Sequence, residues 1–194
     1  VMGNSFVHLR DVDIIVEEDR PIPTLPGAEI TDVERKIGEY CASLVNDGDT
    51  LQLGIGGIPD AVVTFLKDKK DLGLHTEMAA DGIVDLIKAG IINNKKKTLH
   101  PGKCIATFAA GSQKLYDFLD DNPNFELHGV DYVNDPNVIA LNDNMVSINS
   151  CIQVDLAGQI NAEVVKGMQF SGVGGQVDFI RGARMSKGGR SIIA

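Results

Sequence analysis

Residues 72–82 read LGLHTEMAADG. A short apolar strand, Leu72-Gly73-Leu74, is expected to end here and present His75, Thr76 and Glu77 before a helical pattern starts at Gly82. Open α/β sheets place their chemistry just past the carboxyl ends of strands, so Glu77 is the candidate reactive acid. Taken alone it is one of 27 acidic residues and would be read as solvated. Two glycine-rich turns, GIGG at residues 54–57 and GVGG at residues 172–175, reverse that reading. Each can bring backbone N–H groups to the same sheet edge. A carboxylate with such donors beside it can attack a thioester and carry a covalent acyl intermediate, and donors aimed at a developing oxyanion are often a large catalytic effect.

The strand Thr50-Leu51-Gln52-Leu53 runs straight into the first glycine turn, and Pro59 then suits the first turn of a helix, where no N–H is needed. Strand, glycine turn and helix N-terminus together gather free amides around an anion. A tight turn needing positive φ gives the same letters, and no third glycine completes a dinucleotide fingerprint. Gly174 and Gly175 precede a second expected helix, in which Asp178 reads as a first-turn charge rather than a base. His75, two residues from Glu77, shares its face in a strand. A buried polar role with its own bond is expected for it, ahead of a role orienting the carboxylate. His8, His100 and His128 have no metal-ligand spacing, and no G-x-S-x-G elbow occurs. The remaining acids do not form a glycosidase pair. Asn142-Asp143-Asn144 lacks the glycine and distal glutamate of a calcium loop. No metal site is expected.

Composition narrows the classes further. A chain of 194 residues suits one α/β domain, or one with an appendage. Hydrophobic residues make up 43% and aromatics 5%, without Trp, so Ile, Leu, Val and Ala must build the core. A formal charge of -9 argues against a nucleic-acid partner. The one basic run, Lys95-Lys96-Lys97, reads as a solvated loop. Cys41, Cys104 and Cys151 have no CxxC or zinc spacing, so reduced, buried thiols in a cytoplasmic protein are expected. Neither a signal peptide nor a bilayer-spanning apolar run is evident, and no membrane role is expected.

Along the chain, residues 6–18 alternate and then turn apolar, predicting a strand or strand pair. Pro21, Pro23 and Pro26 make residues 20–27 an extended connector and the expected domain boundary. Thr31-Asp32-Val33-Glu34 has the capping-box form and opens a helix with Ile37, Cys41, Leu44 and Val45 on one face, ending near Gly48. Further helices are expected at residues 60–67, 82–89, 112–120, 134–141 and 176–183. Strands are expected at residues 50–53, 103–109, 125–134 (one or two), 145–155 and 191–194, with residues 160–165 pairing or continuing after a turn. The alternation argues for an α/β fold, an open, mostly parallel sheet flanked by helices.

Four motifs in order, QLGIGGIPDAV (residues 52–62), GLHTEM (73–78), NDNMVSINSC (142–151) and SGVGGQVDFIRGA (171–183), resemble the acetyl-CoA hydrolase/transferase family, most of all its CoA-transferases. The resemblance implies residues 1–26 as the tail and linker of a preceding N-terminal domain. It implies residues 27–194 as a C-terminal catalytic domain cut short at its C-terminus. It implies CoA transfer between a short-chain acyl-CoA (4-hydroxybutyryl-, butyryl- or acetyl-CoA) and a carboxylate such as acetate. Glu77 would pass through an acyl-glutamyl anhydride and a glutamyl-CoA thioester, giving ping-pong kinetics without a metal. Gln52, Leu53, Gly54, Ile55 and Gly56 match the family's CoA-contacting loop, and Gly174 and Gly175 its oxyanion-side loop. Ile152 matches an apolar CoA contact, and Asn134 an Asn that touches CoA. The family places its site between two related α/β domains and forms homo-oligomers. Where its pattern often has Phe-Ser after GLHTEM, this chain has Ala79-Ala80, expected to enlarge or soften the pocket wall. Two other readings stand beside transfer: acetyl-CoA hydrolysis through the same intermediate, and a non-catalytic small-anion or nucleotide binder in which Glu77 is structural.

Overall fold

Strands buried on both faces are mostly apolar, and parallel neighbours need crossover helices. The structure, a computed structural model, follows that rule and describes residues 1–25, 27 and 29–194. The first half holds β1 (Met2–Gly3), α1 (Asp32–Ser43), β2 (Thr50–Leu53), α2 (Gly57–Thr64), β3 (Gly73–Ala79), α3 (Gly82–Lys88) and β4 (Cys104–Ala109). Next come α4 (Gln113–Leu119), β5 (Phe125–Leu127), α5 (Val130–Val133), α6 (Pro136–Ala140) and β6 (Met145–Asn149). Four two-residue strands follow: β7 (Gln153–Val154), β8 (Ile160–Asn161), β9 (Val164–Val165) and β10 (Met168–Gln169). The chain closes on α7 (Gln176–Met185) and β11 (Arg190–Ile193).

The main sheet has seven strands in the order β1-β5-β4-β3-β2-β6-β11, and every pairing in it is parallel. Starting from β2, the chain winds outward through β3, β4 and β5, then returns to lay β6 on the other side of β2. The switch point therefore lies between β2 and β6, and ligand crevices form at the carboxyl ends of such strands. The larger core holds Leu51, Leu74, Val62, Val84, Ala106, Leu115, Val146 and Ile148. A smaller core on the opposite face holds Ile105, Val133, Ile139, Met145, Phe179 and Ala183. The predicted capping box starts α1: Thr31 Oγ1 accepts from Glu34 N–H, and Glu34 accepts from Thr31 N–H. Leu44, expected on its buried face, is exposed because the helix stops at Ser43.

Four further departures from the sequence reading concern residues 6–18, 128–134, 145–155 and Lys97. Residues 6–18 form only a 3-10 turn, Leu9–Asp11, and leave Phe6, Val7, Ile14, Ile15 and Val16 exposed. A strand needs a hydrogen-bonding neighbour, and none of the described residues provides one there. Pro26, in the expected connector, lies outside the described residues. Past Leu127 the chain turns helical as α5, because burying Val133 in the smaller core overrides the local β preference. The expected strand at residues 145–155 divides: β6 ends at Asn149, and β7 pairs antiparallel with β8 outside the main sheet.

The fourth departure is Lys97, expected in a solvated loop. It is buried, and its Nζ donates to Leu74 O at 2.9 Å and Lys103 O at 2.8 Å, joining the starts of β3 and β4. Burial lowers its pKa from 10.5 to about 8. Between those values the unfolded chain binds the proton that the folded chain has released, so stability rises with pH across the window. The rise should reach about 3 kcal/mol. Urea melts between pH 8 and pH 10.5 should show it in the native protein and a flatter profile in Lys97→Met.

Candidate active site

β2 and β3 pair only at Thr50↔Gly73 and Leu51↔Leu74, near their start. Beyond that the strands diverge, with Thr76 Oγ1 reaching Leu53 O at 3.2 Å. A cleft of about 420 Å³ opens at these carboxyl ends, beside the switch point. Its walls are the Gln52–Ile55 turn, Glu77 and Met78 of β3, Phe108 of β4, Ser150–Ile152 after β6, and the Phe170–Gln176 loop.

Glu77 was expected just past the strand, but β3 continues to Ala79. Its half-buried side chain therefore projects from a hydrogen-bonded strand, a more rigid mount than a loop. Glu77 Oε2 accepts the N–H of Gly175 at 3.0 Å. A Cβ at residue 175 would lie 2.2 Å from that oxygen and 2.3 Å from Asn134 Nδ2, so only glycine lets the three groups meet. Asn134 is buried at the end of α5, and its Oδ1 has no hydrogen-bond partner. On this side a second recess, shared by Glu77, Asn134 and Gly174, carries Asp131, Asp135 and Asp178. Asp178 is a first-turn charge of α7, as expected.

The other candidate residues divide. Leu53, Gly54, Ile55, Ile152, Gly174 and Gly175 line the cleft with Glu77. Gly56, at φ +110°, faces a neighbouring cleft with Asp60, Asp81 and Asp85. The Gly54 amide is taken by Ile148 O at 2.8 Å. Gln52 borders the cleft, but its amide exchanges two hydrogen bonds with Asn149, at 3.0 and 2.9 Å. It acts as a clamp between β2 and β6. Asn149 could not have been found by spacing, since its partner is 97 residues away.

His75 is fully buried, as expected for a polar residue with its own bond. Its Nε2 lies 2.8 Å from Val133 O and so carries the proton. Among the described residues its Nδ1 has no partner. Burial lowers its pKa from 6.5 to about 4. The three cysteines are free; Cys41 and Cys104 are buried, but Cys151, also expected buried, is half exposed in the cleft wall. Among the described residues no group of three His, Cys, Asp or Glu is placed to hold a metal. No helix among them is long and apolar enough to cross a membrane.

An all-parallel sheet carries a strand-borne carboxylate against a glycine amide beside its switch point, and similarity to known proteins places the chain in a class. Residues 111–194 match the acetyl-CoA hydrolase/transferase C-terminal domain, and the chain belongs to the acetyl-CoA hydrolase/transferase family. It is 62% identical to the 4-hydroxybutyrate coenzyme A transferase of Clostridium kluyveri, across 100% of this chain and 45% of that protein. It is 51% identical to a succinyl-CoA:cyclohexane-1-carboxylate CoA transferase of Geobacter metallireducens, across 98% of this chain and 44% of that protein. The crystal structure of RipA from Yersinia pestis superposes with a TM-score of 0.93 at 47% identity, covering 100% of this chain and 44% of that one. A relative named acetyl-CoA hydrolase, from Kluyveromyces lactis, is more distant: 32% identical across 91% of this chain and 35% of that protein. The chain thus spans less than half the length of these relatives.

Two outcomes test this geometry. Below pH 6.5 the unfolded His75 gains a proton that the folded ring refuses until about 4, so stability is lost as the pH is lowered through that window. The loss attributable to His75 should approach about 3 kcal/mol, and acid titration of His75→Gln should lack it. Gly175→Ala should separate Glu77 from its donor; a crystal structure of the variant should show the carboxylate displaced.

Proposed function

We propose that the protein containing this chain is a CoA-transferase that moves CoA between a short-chain acyl-CoA and a carboxylate, with Glu77 as nucleophile. The observation that carries the reading is the Glu77 carboxylate, held on β3 against the Gly175 amide inside a cleft bordered by both glycine turns. Similarity to named CoA-transferases, closer than to the named hydrolase, supports transfer over hydrolysis. The 4-hydroxybutyryl, butyryl and acetyl thioesters are the proposed substrates, with acetate as an acceptor.

A Glu77 oxygen attacks the thioester carbonyl. The C–S bond breaks, thiolate leaves, and an acyl-glutamyl anhydride remains. The thiolate attacks the Glu77 carbonyl and expels the first acid, leaving a glutamyl thioester. An acceptor carboxylate then reverses the two steps, so the kinetics are ping-pong. During each attack, negative charge develops on an oxygen of the Glu77 carbonyl or of the substrate. The Gly175 N–H, which bonds the Glu77 carboxylate, and the nearby Asn134 amide would stabilise it. Leu53, Gly54, Ile55, Ile152 and Gly174 offer a surface for the thioester arm. Gln52 serves that surface by clamping β2 to β6.

We further propose that residues 27–194 act as the catalytic half of a cytoplasmic homo-oligomer, with residues 1–26 linking them to a preceding domain. The chain exposes 11387 Å², whereas a compact protein of 20.8 kDa exposes about 8,900 Å². The surplus is consistent with further protein covering the exposed apolar residues of the N-terminal segment and of the β7–β10 hairpins.

Incubating the intact protein with acyl-CoA and then hydroxylamine or borohydride should trap a modification at Glu77, found by peptide mass spectrometry. Glu77→Ala should abolish exchange between labelled acetate and acyl-CoA, and persisting exchange would remove the nucleophile assignment. CoA release that proceeds equally fast without an added carboxylate would favour hydrolysis instead.

A further inference from the structure

The smaller core, otherwise built from Ile105, Val133, Ile139, Met145, Phe179 and Ala183, contains the imidazole of His75. Packing alone does not call for a polar ring there, because a buried Nδ1 without a partner is a cost that an apolar side chain would avoid. What the ring touches gives it a use. Its Nε2–H donates to Val133 O, the carbonyl of the peptide that links Val133 to Asn134. The ring lies beside Phe179, with centroids 6.1 Å apart and planes tilted by 60°. Phe179 N–H in turn bonds Gly175 O at 3.0 Å, closing the first turn of α7. The strand beneath His75 is held to β4 in register with Ile105 and carries Glu77 two residues on, on the same face.

We propose that His75 is a positioning residue of the Glu77 site: through Val133 O and Phe179 it fixes Asn134 and Gly175 against the Glu77 carboxylate. The inference rests on Glu77 being the nucleophile. One imidazole thereby ties together the strand that bears the acid and the two segments that bear Asn134 and Gly175. It does so as the neutral Nε2–H tautomer. A second proton would sit on a buried Nδ1 with no acceptor, in the field of Lys97, His100 and His128.

Two amide variants of the intact protein separate positioning from simple core filling. In His75→Gln the side-chain nitrogen reaches about as far as Nε2 and can still donate to Val133 O. In His75→Asn it reaches only as far as Nδ1. The readout is the rate at which acyl-CoA modifies Glu77, scaled to the folded fraction from circular dichroism. His75→Gln should stay within about threefold of the native rate, whereas His75→Asn should lose on the order of 10²-fold, with KM for acyl-CoA changing less than about threefold. Equal rates in the two variants would overturn the proposal, as would a loss expressed in KM alone. If either variant fails to fold, the native ring decides by ¹⁵N NMR. A neutral Nε2–H ring from about pH 5 to about pH 8 is expected, and an Nδ1–H tautomer or titration near the ordinary value overturns it. Failure of the underlying reading looks different: the native protein itself would then give no adduct at Glu77.

Discussion

The Gly175 N–H donates to Glu77 Oε2 at 3.0 Å, and this approach exists only because residue 175 has no side chain. Each group sits in or at the end of a regular element. Glu77 is part of a strand paired with its neighbour, and Gly175 opens a helix anchored in the smaller core through Phe179. The separation is therefore set by how α7 seats on the sheet and by the loop that leads into it. Small errors in seating would move a donor off a reacting oxygen, which is where positional precision matters most.

Around this contact the sheet interior holds several buried polar groups. Gln52 and Asn149 satisfy each other across β2 and β6. Lys97 satisfies two carbonyls at the opposite end of β3 and β4. His75 satisfies Val133 O from the face that carries Glu77. Each buried polar group is tolerated because at least one partner offsets its desolvation. Each also joins two elements that apolar packing alone would allow to slide. The cleft sits where the joined strands diverge, beside the switch point of the winding.

Much of the fold was legible because its signals are local. The capping box at Thr31 and Glu34 starts α1, Pro136 follows its N-cap Asp135, and the apolar runs at β2, β4 and β11 fall close to where they were read. Errors arose where a neighbour decides. Residues 6–18 have strand letters but pair with no strand among the described residues, and residues 130–133 have strand letters but form a helix packed on the sheet. Lys97 resembles a solvated lysine until two carbonyls close over it. At the site, Glu77 and both glycine turns were visible as residue types at strand–helix junctions. Gln52's pairing with Asn149 was not, because nothing in the sequence encodes which amide it will meet.

The sequence by itself determined the alternation of strands and helices, the acid at the end of β3 and the glycines that permit close approach. Those follow from side-chain period, backbone freedom and capping chemistry, all of which act over a few residues. Only the tertiary structure decided that Gly175, rather than Gly54, gives Glu77 its donor, that Gln52 is a clamp, and that His75 faces Val133 and Phe179. These are contacts between segments tens of residues apart. They are set by strand order and by which helices cover which face, and that geometry exists only once the sheet has closed its cores.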